Sequence, residues 1–117
     1  MAYPKLTLYR ASGSCAEVPY MLLRYLAVPA TSVLMKVGSD GHYAAADGSF
    51  TNAEYRAIHP SGYVPALRIQ DNGSEHLLTE NPAVLSFIAG LTSEQHLLGD
   101  TAIAKARVLE WLNWLSG

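Results

Sequence analysis

At 117 residues the chain is the size of one domain; half of it is apolar and only 15% is Asp, Glu, Lys or Arg, below the roughly 25% of an average soluble protein, which excludes disorder. Eight basic against ten acidic residues give a net charge of −2 without a Lys/Arg run, so nucleic acid and anionic membrane lack their electrostatic driver as partners. The single cysteine, Cys15, cannot close an internal disulfide, and four scattered histidines offer no metal-ligand spacing, so no metal is expected and a reducing cytoplasm is the expected compartment.

Leu6 and Leu8 alternate with Thr7 in a first strand, Lys5 to Tyr9, which Ala11-Ser12-Gly13-Ser14 breaks. Val18, Met21, Leu22, Tyr25 and Leu26 then recur at helical spacing, and Val28-Pro29 closes that helix. Thr31 to Val37 reads as a second strand, completing a β-α-β crossover, and Gly38 to Phe50 has neither period and reads as a loop. A Thr51/Glu54 capping box opens a short helix that Pro60 stops. Val64 to Ile69 and Glu75 to Leu78 flank Asp71-Asn72-Gly73 and predict an antiparallel hairpin. Asn81 before Pro82 caps a helix whose stripe is Val84, Phe87, Ile88 and Leu91. Last, Asp100 caps a helix over Thr101 to Ser116. Its polar ridge of Arg107, Glu110 and Asn113 is narrow, and Val108, Leu109, Trp111, Leu112, Trp114 and Leu115 occupy most of the remaining circumference. A helix that apolar needs covering on more than one side, which predicts a homo-oligomer through the last helix.

Three positions could carry chemistry. Cys15 falls at the first strand-to-helix junction. It is either a small buried apolar residue or, through a Ser14/Glu17 capping box, a sulfur beside the unpaired N–H groups of a first helical turn, where a thiolate is favoured. Glu80-Asn81-Pro82 is either an ordinary helix start or a head-group site for an α-amino acid, the helix N-terminus taking its carboxylate and Glu80 its ammonium. Gly62-Tyr63-Val64-Pro65 either starts a strand or offers a backbone edge to an extended peptide ligand. His42 and His59 have no evident partner and read as surface residues.

Taken together, Ser12-Gly13-Ser14-Cys15, Gly62-Tyr63-Val64-Pro65-Ala66-Leu67 and Leu78-Thr79-Glu80-Asn81-Pro82-Ala83-Val84 resemble the glutathione transferases, nearest the bacterial cysteine-type or beta class. The resemblance implies an α/β, thioredoxin-like βαβ-α-ββ-α domain with a mixed sheet over residues 1–92. Residues 93–117 are then a linker and the first helix of an all-helical second domain. The sequence is expected to be truncated early in that second domain, short of most of the family's hydrophobic co-substrate pocket.

By the same resemblance Cys15 is the catalytic cysteine that contacts glutathione or forms a mixed disulfide with it. Glutathione binding, as co-substrate, falls to Tyr63, Val64, Pro65, Glu80 and Asn81. Val64 pairs through its backbone with the cysteinyl unit, Pro65 is the cis-proline that presents it, and Glu80 holds the γ-glutamyl end. Asn81 stands where the family commonly has Gly or Ser. The loop lysine that usually meets the glycyl carboxylate is absent from Gly38 to Phe50, leaving Lys36 and His42 as nearby substitutes, and Arg10 replaces a frequent tyrosine. The function so implied is conjugation or thiol transfer to an electrophile or disulfide; the alternative is a non-catalytic module that binds glutathione or a protein partner. A dithiol oxidoreductase is excluded by the lack of a second cysteine.

Overall fold

The computed structural model describes residues 3–92 and 96–116, so the start of the expected linker, residues 93–95, lies outside the described residues. The elements follow in the order β1 (Lys5–Arg10), α1 (Glu17–Tyr25), β2 (Thr31–Val37), β3 (Tyr43–Ala45), α2 (Asn52–Ile58), β4 (Ala66–Asp71), β5 (Ser74–Thr79), α3 (Asn81–Gly90) and α4 (Ala102–Ser116). They build one five-stranded sheet in the order β3-β2-β1-β4-β5, with β1 and β2 parallel and every other neighbour antiparallel. This is the mixed-sheet, thioredoxin-like α/β architecture implied by the sequence, with α4 as the additional helix.

Strand alternation divides the core between the two faces of the sheet. Leu6 and Leu8 of β1 lie opposite Ile69 and Leu67 of β4, and all four join a cluster with Leu23 and Leu26 from the α1 segment and Val84 and Ile88 of α3. Tyr9, one residue out of phase, lies opposite Ala66 and joins Met35 and the fully buried Tyr55 of α2 on the other face. Period-two placement therefore puts α1 and α3 in one layer and α2 in the other. The hairpin turn is as read, with Asn72 at φ 49° and Gly73 at φ 82°.

Four local readings are corrected. Residues 43–45 form the edge strand β3, pairing Tyr43 with Val37 and Ala45 with Met35, where a loop was expected. Three residues are too few to show a period, and the strand is recruited by β2 and by the Asn52 Nδ2 bond to the Tyr43 carbonyl (2.8 Å). In α1 the inward stripe is Pro19 and Leu23, continued by Leu26, while Val18, Met21 and Tyr25 are exposed. Two apolar stripes were available at helical spacing, and packing on β1 and α3 selects the other one. The same helix ends before Pro29 can act: Ala27 takes a left-handed φ of 55°, and the Ala27 and Val28 N–H groups bond to the Arg24 and Leu23 carbonyls, a Schellman closure. Finally, α4 is capped by Thr101, whose Oγ1 accepts the Ala104 N–H at 3.1 Å, because Asp100 is engaged with His96.

Ala104, Val108 and Leu112 are the half-buried positions of α4, four residues apart on the side toward α3, and no α4 residue is fully buried. Ile103, Leu109, Trp111, Trp114 and Leu115 are exposed, with the two tryptophans edge to face at 5.7 Å.

Candidate functional site

Cys15 stands in the turn between β1 and α1, and its conformation differs from the expected capping box. Ser14 offers its backbone carbonyl, not its hydroxyl, to the Glu17 N–H (3.1 Å); the hydroxyl donates to the Ala11 carbonyl (2.7 Å) and accepts the Ala16 N–H (3.1 Å). Glu17 reaches back to the Gly13 N–H (3.3 Å). With Pro19 lacking an N–H, the regular helix begins only at Glu17, and Cys15 precedes the Ala16 N-cap by one residue. The thiol is exposed, which sets aside the buried alternative.

Arg10, at the end of β1, fixes this turn from below. Its Nε donates to Ser32 Oγ (2.6 Å), its guanidinium covers the Tyr20 ring at 3.9 Å, and one nitrogen lies 3.7 Å from the Glu17 carboxylate. The tyrosine replacement is thus a brace spent on Glu17, Ser32 and Tyr20. From the other side, Asn81 Nδ2 donates to the Cys15 carbonyl at 2.9 Å, tying the thiol-bearing turn to the first residue of α3 across 66 positions of sequence.

The second wall is the segment before β4. The Val64-Pro65 peptide is cis, as the resemblance implied, and Ala66 is the first residue in the ladder with Tyr9, so the Val64 backbone stands just outside the sheet. Tyr55 anchors the segment from the core by donating its hydroxyl to the Tyr63 carbonyl at 2.6 Å. Arg56 clasps it from α2, bonding the Pro60 carbonyl (3.1 Å) and Asn52 Oδ1 (3.0 Å). A Cβ added at Gly62, already at φ 71°, would meet that guanidinium at 3.2 Å.

Glu80, not Asn81, is the N-cap of α3, and Asn81 is its first residue, a shift of one from the sequence reading. Glu80 takes φ 71° and ψ 124°, a conformation L-residues avoid, which turns the chain sharply from β5 into α3. Its carbonyl accepts the Val84 N–H (3.1 Å), so Glu80 starts the helix through its backbone while its side chain makes no capping bond.

Cys15, Tyr63, Val64, Pro65, Glu80 and Asn81 all line one cleft of about 560 Å3. Lys36 and His42 do not: Lys36 is exposed on β2 opposite Ala44, and His42 is exposed ahead of β3. The cleft also holds residues that sequence reasoning missed. Val18, Leu85, Leu112 and Leu115 give it an apolar side. His59, expected at the surface, is only 7% exposed and also lines the cleft, its ring 6.1 Å from that of Tyr55. Burial holds its imidazole below the ordinary 6.5; the nearby Glu80 carboxylate opposes that shift and the Arg56 guanidinium adds to it. The available signal was that His59 ends an α2 whose Tyr55 points inward, four residues earlier on the same face.

An exposed thiol, the backbone beside a cis-proline and a carboxylate at a helix start meet on one cleft of a thioredoxin-like α/β domain. The comparisons agree with that class. No family model matches the sequence. The glutathione S-transferase GstA of Escherichia coli O157:H7 is 34% identical over 64 residues, which is 54% of this chain and 30% of that protein. Among solved structures, a glutathione transferase from Methylococcus capsulatus superposes with a TM-score of 0.77 at 29% identity, covering 95% of this chain and 50% of that one. A glutathione transferase homologue from Sulfitobacter, with glutathione bound, gives a TM-score of 0.78 at 25% identity, covering 97% of this chain and 49% of that one. The chain is therefore similar in sequence and fold to bacterial glutathione transferases, and it spans about half the length of the solved structures it matches.

Proposed function

We propose that the cleft binds glutathione as co-substrate and that Cys15 is its reactive group. The observation that carries this reading is the meeting of Cys15, Val64 and Glu80 on one cleft from three separate parts of the chain. In this reading Glu80 takes the γ-glutamyl ammonium and the first N–H groups of α3, with Asn81, take the neighbouring carboxylate. The Val64 backbone pairs with the cysteinyl unit, Pro65 sets the direction of that edge, and Tyr63 flanks it. The Cys15 thiolate, or a glutathione thiolate held beside it, displaces a leaving group with its electron pair from the electrophilic carbon of a co-substrate, or attacks one sulfur of a disulfide with loss of the other as thiolate. The apolar side formed by Val18, Leu85, Leu112 and Leu115 suits a hydrophobic electrophile. Among the described residues no lysine or arginine lines the cleft to meet the glycyl carboxylate, so affinity below that of a lysine-bearing site is expected.

Residues 1–92 are read as the glutathione-binding unit and residues 93–117 as a linker with the first helix of a helical unit. A thiol that must stay reduced suits a cytoplasmic protein. Among the described residues no helix is long and apolar enough to cross a membrane. The exposed apolar face of α4 favours a second reading: a non-catalytic, glutathione-binding module that associates through α4, with a second copy of the chain as the proposed occupant.

The test is glutathione titration by calorimetry combined with mass spectrometry after exposure to glutathione disulfide. The expected results are saturable binding, a loss of about 1.5–3 kcal/mol in Glu80→Gln, and one glutathione added to the wild type, with release of reduced glutathione, but none to Cys15→Ser. Undiminished binding in Glu80→Gln refutes the assigned pose; binding without any thiol chemistry favours the module.

A further inference from the structure

We propose that His59 is a specificity-determining residue of the cleft, its proton deciding whether the Glu80 carboxylate is free to receive the ammonium group of a ligand. This rests on the glutathione reading and goes beyond it by assigning control of the γ-glutamyl end to a residue outside the three walls already described.

The geometry is fixed by the backbone. The His59 N–H bonds to the Tyr55 carbonyl (2.8 Å) and its own carbonyl accepts the Gly62 N–H (2.9 Å), so the end of α2 and the turn into Tyr63 both pin it. The Tyr55 ring lies against the imidazole, and the imidazole lines the cleft with Glu80. Two charged groups act on it from different elements, the Glu80 carboxylate at the β5–α3 junction and the Arg56 guanidinium of α2. The other titratable groups on these walls are Tyr55, Tyr63 and Cys15.

Burial favours the neutral ring, so at neutral pH no imidazolium competes with an incoming ammonium in the cleft. Below the ordinary 6.5 the ring takes up a proton. The imidazolium then adds a positive charge to the cleft that Glu80 lines and opposes a second cation there. Protonation and ligand binding compete, and by linkage the ligand must oppose protonation by the same factor that protonation opposes the ligand. Glutathione's carboxylates and thiol titrate outside about pH 5 to 7.5, so the ligand's charge is constant in this window and the His59→Asn comparison separates this ring from His42, His76 and His96.

The experiment measures glutathione affinity at about pH 7.5 and pH 5 in the wild type and in His59→Asn, and follows the His59 ring signal by NMR titration of the wild-type protein with and without glutathione. The wild type should lose about threefold to tenfold in affinity on acidification, the variant less than about twofold. The His59 midpoint should move to lower pH when glutathione is bound, a readout that needs no variant. Equal pH dependence in both proteins with an unmoved midpoint, or tighter binding in acid, overturns the role of His59 and leaves the glutathione site standing. No binding to either protein at pH 7.5 refutes the glutathione site and this inference with it.

Discussion

Tyr55→Phe removes one oxygen atom and tests the link between the core and the site. Tyr55 is fully buried, and its hydroxyl holds the Tyr63 carbonyl at 2.6 Å, immediately before the cis Val64-Pro65 peptide. Ring packing against Tyr9 and Phe50 survives the substitution, so no large cavity opens. The loss is that of one neutral hydrogen bond, about 0.5–1.5 kcal/mol. Urea denaturation followed by circular dichroism should show a lower midpoint at unchanged slope.

The pH dependence of that difference is a sharper test. Burial pushes the Tyr55 phenol far above its ordinary 10, with Tyr9 and Tyr43 adding to the shift, so the proton stays on in the folded state after an unfolded chain has released it. Above pH 10 the unfolded state binds fewer protons, and this group's contribution to stability, complete below 10, drains away as pH rises, by at most about 1.4 kcal/mol per pH unit. Phe has nothing to titrate, so the gap between the two proteins should close above pH 10. A gap that stays constant from pH 7 to 11, or a variant as stable as the wild type at pH 7, would show that the Tyr55 hydroxyl neither stays protonated nor holds the Tyr63 segment.

Two further variants test strain at Glu80 and association through α4. Glu80→Gly should raise stability by about 1 kcal/mol in thermal or urea denaturation, because Gly adopts φ 71° without the strain a side chain carries there, while glutathione affinity falls as in Glu80→Gln; lower stability would mean the conformation is not strained. Replacing both Trp111 and Trp114, which are 60% and 73% exposed, by Glu should leave a monomer by light scattering where the wild type self-associates, each buried side chain being worth about 1.5–3 kcal/mol; a monomeric wild type excludes the second copy as the partner of α4.

Three local signals were sufficient as the sequence presents them. Leu6 and Leu8 declare a strand, the Thr51/Glu54 capping box forms as read, and Asn72-Gly73 sets the hairpin, because each depends on neighbours a few residues away. The apolar circumference of α4 was equally plain, since a helix shows its whole surface in its period.

What required the folded chain was every choice between alternatives that local rules leave equal. Both stripes of α1 satisfied a 3.6-residue period, and only the sheet and α3 decided that Leu23 would be buried and Met21 exposed. Residues 43–45 carry no period of their own and became a strand by pairing with β2. Cys15 and Asn81 stand 66 positions apart and are joined by a single hydrogen bond. His59 shares its cleft with the Glu80 carboxylate, which stands 21 positions on at the start of α3 and gives no local signal in the sequence. Local sequence sets each residue's conformational preferences, whereas the burial and electrostatic surroundings of a side chain come from segments distant in the chain, and those exist only once the sheet has brought them together.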